Sequence, residues 1–96
     1  MLFDTDEVIF LISALETYNE SPRGNLRYEL QNQLVTSSVK KLENITELTH
    51  FTKQELSVMA FATLFIINAL EKSGNVVDSL TLDLFQRLIA LADPGT

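Results

Sequence analysis

The sequence predicts an all-α protein, and three observations carry that prediction. Asp4 with Glu7, and Thr52 with Glu55, have the capping-box spacing, in which side chains three residues apart satisfy the free N–H groups of a helix start. Apolar residues recur at helical rather than strand intervals. Pro22, Gly24 and Gly74 fall where those patterns stop.

The first helix is expected over about 5–19. Asp4 stands at its N-cap, and Val8, Leu11, Ile12 and Leu15 form an i, i+3, i+4, i+7 stripe. "YNESPRGN" ends it, because Pro and Gly break helices. The second helix is expected over about 25–49, with Leu26, Leu30, Leu34, Ser38, Leu42 and Ile45 on one face and Tyr28, Val35 and Val39 beside it. "VTSSV" at 35–39 is weak helix material, so a bend or fray is expected there.

Thr52 and Glu55 open a third helix over about 53–73. Gly74 closes it, with Lys72 in the last turn where a cation suits the helix dipole. The fourth helix, about 79–92, alternates like a strand at Leu80, Leu82 and Leu84. It then settles into helical spacing through Leu84, Leu88 and Leu91. Asp78 or Ser79 supplies its cap.

These elements predict one helical domain over 1–96, built as four antiparallel helices in two helical hairpins, short-long-long-short. The chain also repeats itself: "IFLISALE" at 9–16 matches "LFIINALE" at 64–71, and "LRYELQNQLV" at 26–35 lies over "LTLDLFQRLI" at 80–89. The matched halves of the long central helices would pack with the short outer ones as a bundle. The remainder, about Val39 to Met59, would project as a central hairpin tip. Its stripe of Val39, Leu42, Ile45, Leu48, Phe51, Leu56 and Met59 is apolar, and an exposed apolar stripe usually marks an interaction site. A second copy of the chain is the simplest cover, since two-fold homodimers are the commonest oligomers. A tip folded back over the core is the competing arrangement.

Composition narrows the function. Seven basic and thirteen acidic residues give a net charge of −6, and no dense basic cluster exists to neutralise a phosphate backbone. Direct nucleic-acid binding is therefore disfavoured. Residues 1–20 hold Asp4, Asp6, Glu7, Glu16 and Glu20 and no base. The start lacks the basic region of a signal peptide. The most apolar run, Val58 to Leu70, reaches only about 20 Å against the roughly 30 Å of a bilayer core, so no membrane span is expected. Without cysteine there is neither a disulfide framework nor a thiolate metal site, which suits a cytoplasmic location.

No catalytic or cofactor set emerges. Glu47 and His50 have the Glu-x-x-His spacing of carboxylate-bridged metal sites, but a second such pair is required and His50 is the only histidine. Ser37 and Ser38 lack an adjacent base. Three glycines, widely separated, cannot build a phosphate loop. Arg23 and Arg27 could meet an anion at a helix start, though pairing with Glu20 is the simpler use. Asn68, inside an apolar run, is a candidate buried amide. No small-molecule substrate, metal or cofactor is implied. The expectation is a non-enzymatic interaction or regulatory module, self-associating through the tip as a homodimer. The alternative is an acidic adaptor or inhibitor whose Asp4, Asp6, Glu7 and Glu16 dock the basic surface of a nucleic-acid-binding protein.

Overall fold

In the computed structural model, which describes residues 3–20 and 28–92, four helices follow one another: α1 (Thr5–Glu20), α2 (Tyr28–Glu43), α3 (Lys53–Lys72) and α4 (Ser79–Ala92). No strand occurs among the described residues. The turn holding Pro22 and Gly24, the Arg23 and Arg27 pair, the expected start of the second helix at Asn25, and Leu26 lie outside them.

Local chemistry sets the helix ends. The Asp4 N–H donates to Glu7 Oε1 at 3.0 Å and the Glu7 N–H to Asp4 Oδ1 at 2.8 Å, so both halves of the first capping box form. The Thr52–Glu55 box closes in the same way. Asp78 caps α4 by accepting the Leu80 N–H at 2.8 Å. At the end of α3, Gly74 takes φ +77°, a conformation that glycine adopts without Cβ strain. Its N–H donates to the Glu71 carbonyl and the Asn75 N–H to the Leu70 carbonyl, the paired bonds of a Schellman motif.

α2 departs from expectation. It stops at Glu43, not Thr49. The reason lies in "NITELTH". Asn44 Nδ2 donates to the Lys40 carbonyl, the Thr46 N–H to Thr49 Oγ1, and the Leu48 N–H to Thr46 Oγ1. Side chains that satisfy nearby backbone compete with the helical ladder and win here. The expected break at "VTSSV" does not occur, and residues 35–39 are continuous helix.

α3 packs against all three other helices. Phe3 meets Phe51 and Tyr18 meets Phe65 edge-on, so α1 runs along α3 in the same direction. α2 runs the opposite way, with Lys41 beside Glu55 and Leu30 sharing a groove with Phe61. At 20 residues α3 has the length to cross a bilayer, longer than its most apolar run implied. It is nonetheless the bundle's central helix, and 44% of its most apolar window is buried inside the molecule.

The tip does not project. Because α2 ends early, residues 44–52 lie back across the end of the bundle, and Phe51 packs on the fully buried Phe3. Leu42, Leu56 and Met59 belong to the chain's own core, together with Leu11, Leu15, Val35, Leu84 and Leu88. Asn68 is exposed, not buried.

The sequence repeat does not produce equivalent environments. Leu11 is buried but its counterpart Ile66 is half-buried; Leu30 is exposed but its counterpart Leu84 is buried. α3 has three neighbours to satisfy, so its matched residues face different partners from those of α1.

One core position is chemically incomplete. Ser38 is fully buried, and its hydroxyl has no hydrogen-bond partner among the described residues. Ser38→Ala removes that desolvated group and improves helix propensity, so it is expected to stabilise the fold by about 1 kcal/mol. Urea or thermal unfolding reads this directly, and a substantial loss of stability would mean that the hydroxyl is bonded in solution.

Candidate interaction surface

Of the seven residues expected to form an exposed stripe, only Leu48 points outward, at 83% exposure. Val39, Ile45 and Phe51 are partly buried against the core that holds Leu42, Leu56 and Met59. The seven therefore do not make a continuous surface.

The four acidic residues are also divided. Asp4 and Glu7 cap α1, and Arg87 of α4 donates to both Glu7 oxygens, at 3.2 and 2.6 Å. The Arg87 hydrogen bond holds the Glu7 carboxyl below its ordinary value, outweighing partial burial, with the Asp4 N–H and the guanidinium charge adding to it. Asp4, Asp6 and Glu7 share a shallow depression with Phe10, Leu80, Thr81 and Leu84. Glu16 lies at the other end of α1, with Glu20 and Glu43 around a groove between α1 and α2.

Between α2 and α3 lies a groove that periodicity alone did not reveal. Tyr18, Leu30, Gln31, Leu34, Lys53, Gln54, Ser57, Val58 and Phe61 line a volume of about 310 Å³. Phe61 is 57% exposed and Leu30 51% exposed, while Tyr18 is buried at its floor. The lining includes one ammonium, Lys53, and no carboxylate. Gln31 Nε2 is buried without a partner among the described residues. A signal for this surface was present in α3, where apolar residues occur on every side, since such a helix must be covered on every side.

The α2–α3 junction beside this groove is held by Glu55, whose residue is only 3% exposed. Lys41 Nζ donates to Glu55 Oε1 at 2.6 Å and to the His50 carbonyl at 2.9 Å. The Ser37 hydroxyl donates to Glu55 Oε2 at 2.7 Å, and the Thr52 N–H to Oε1 at 2.8 Å. Burial alone would raise the Glu55 carboxyl. The bonds from Lys41, the Thr52 N–H and Ser37, with the Lys41 charge, outweigh it and leave the group below its ordinary value of 4.5.

The remaining polar candidates do not converge. Glu47 and His50 are both exposed on the turn after α2, not on one helix face. No group of three or more potential metal ligands occurs among the described residues. Ser37 is committed to Glu55. Compared with protein-family models, curated proteins and solved structures, the chain matches none of them.

Glu55 makes stability pH-dependent with a definite sign. Its folded value lies below its unfolded one, so its contribution is complete above about pH 5 and is lost as pH falls through and below 4.5. Glu55→Gln should flatten that part of the stability profile, measured by urea unfolding from pH 7 to pH 3. Glu55→Ala should cost about 2 kcal/mol at pH 7, from the lost cap and the unmade bonds to Ser37 and Lys41.

Proposed function

We propose that the protein is a non-enzymatic interaction module that self-associates through the apolar groove between α2 and α3. The observation that supports this most strongly is Phe61. A large aromatic ring stands more than half exposed on the central helix, beside Leu30 and above a ready-made cavity. Aromatic residues set next to pockets are the usual anchors of protein interfaces. The same class of function was expected from sequence, but the surface differs, because the tip is largely consumed by the chain's own core.

A second reading keeps the acidic adaptor. Glu16, Glu20 and Glu43 gather on the groove between α1 and α2, with Lys40 as its lone base. Binding there would rest on exposed charge and would weaken as salt rises.

Light scattering at low and high salt separates the two. Self-association through the groove gives a mass near twice 10.8 kDa that persists at high salt. Phe61→Asp should abolish it with the helical circular dichroism retained, whereas Leu48→Asp should leave the mass unchanged. A monomer under all conditions, coupled with salt-sensitive capture of a basic protein, would support the adaptor instead.

A further inference from the structure

We propose that residues 44–52 form a strap that opens as one unit, without unfolding the four-helix core, when the Lys41–Glu55 pair loses either of its charges. The strap is lightly anchored. None of its residues is buried; Leu48 stands clear of the core, on which Ile45 and Phe51 pack. The helices, by contrast, meet through Leu11, Leu15, Leu42, Met59 and Leu88, all fully buried. A segment with few buried contacts opens at lower free energy than the body that carries it.

The strap's own hydrogen bonds close within it. The Thr46 N–H donates to Thr49 Oγ1, the Leu48 N–H to Thr46 Oγ1, and the Thr49 N–H to the Thr46 carbonyl. Those bonds travel with the strap. Its ties to the helices gather at one pair. Lys41 Nζ donates to the His50 carbonyl and to Glu55 Oε1 and stands 5.8 Å from the centre of the Phe51 ring, while Glu55 Oε1 also accepts the Thr52 N–H. Phe51 then meets the buried Phe3 at 5.9 Å between ring centres. Opening would uncover Phe3 together with Phe51 and Ile45, so the strap hides an apolar surface.

Both charges are needed because of where the pair sits. The Glu55 side chain is 4% exposed and that of Lys41 36%. Without the ammonium, the carboxylate stays desolvated with only neutral donors, a cost that lifting the strap relieves by admitting water. Without the carboxylate, the ammonium turns out to solvent on its flexible stem and the His50 carbonyl loses its donor. No other charge takes over: among the described residues, the charge acting on Glu55 is that of Lys41. Lys40, Glu43, Glu47, His50 and Lys53, on and beside the strap, are exposed. On the other helices Asp4, Asp6 and Asp83 are exposed as well, and Glu7 is held by Arg87.

Lys41→Met and Glu55→Gln test this at pH 7 by NMR. Each removes one charge and keeps the length of the side chain, and Gln still serves a capping box. In both, the NOE between the Phe3 and Phe51 rings should be lost. Amide exchange at Thr52 and Leu56 should accelerate at least about tenfold, the worth of one charge-assisted hydrogen bond. The mid-helix amides of Leu15, Ile67 and Leu88 should exchange as in the unaltered chain. With exchange corrected for the intrinsic effect of pH, the unaltered chain should open in the same way between about pH 5 and about pH 3, and His50→Gln should follow it. That titration decides by the same readouts if Lys41→Met loses its helical spectrum. Retention of the ring contact in either folded variant overturns the pair as the lock. Acceleration at all these amides together overturns the strap as a separate unit. Acid opening that His50→Gln abolishes would move the trigger to the imidazole and overturn the role of Glu55.

Discussion

Glu55 is where the three levels of this structure meet. As the fourth member of a capping box it starts α3; as the acceptor for Lys41 and Ser37 it fixes α2 against α3; and through Lys41 it reaches the turn between them. The same Lys41 ammonium bonds the His50 carbonyl and sits 5.8 Å from the centre of the Phe51 ring. A carboxylate this deeply placed is tolerated only because its oxygens accept from three donors. Remove any of those donors and the desolvation that they offset reappears. The inward position of residues 44–52, and with it the burial of Phe3, depends on this arrangement.

With its start fixed, α3 becomes the helix on which the others are arranged. Its sequence carries apolar residues around the full circumference, yet three neighbours cover only part of that surface. Leu56, Met59, Ala60, Thr63 and Ile67 are buried, and Thr63 meets its hydrogen-bonding need by donating to the Met59 carbonyl one turn back. Phe61 is what remains on the uncovered side. Beside the exposed Gln54 and Asn68, it is a large apolar ring that the chain's own helices leave uncovered.

How much of this was legible in the sequence follows from the range of the interactions concerned. The caps at Asp4, Thr52 and Asp78 and the glycine stop at Gly74 depend on residues a few positions apart, so a linear reading finds them. The end of α2 depends on a contest between Ile45 and Leu48, which continue the apolar period, and Asn44, Thr46 and Thr49, which bond backbone locally; periodicity sees only the first group. Phe3 stands immediately before the Asp4 cap, where hydrophobic staples occur, and that position was the available sign of its burial. For the surface, the pattern identified which residues are apolar but not which helix covers them. Leu42 and Met59 found cover within the chain, and Phe61 and Leu30 did not. Burial is settled by the third neighbour of a helix, and no spacing along one strand of sequence encodes that.

Charge placement gives the uncovered face a further property. The first twenty residues carry five acids and no base, and among the described residues Glu7 is the one engaged by a guanidinium, that of Arg87. Two α1 surfaces brought together would set carboxylates within the roughly 8 Å screening length of physiological salt, a repulsive arrangement. The groove between α2 and α3 has no carboxylate in its lining and lacks this barrier. Net charge of one sign opposes further association. An acidic α1 therefore opposes contacts made through its own surface, and the lining of the groove between α2 and α3 is free of that opposition.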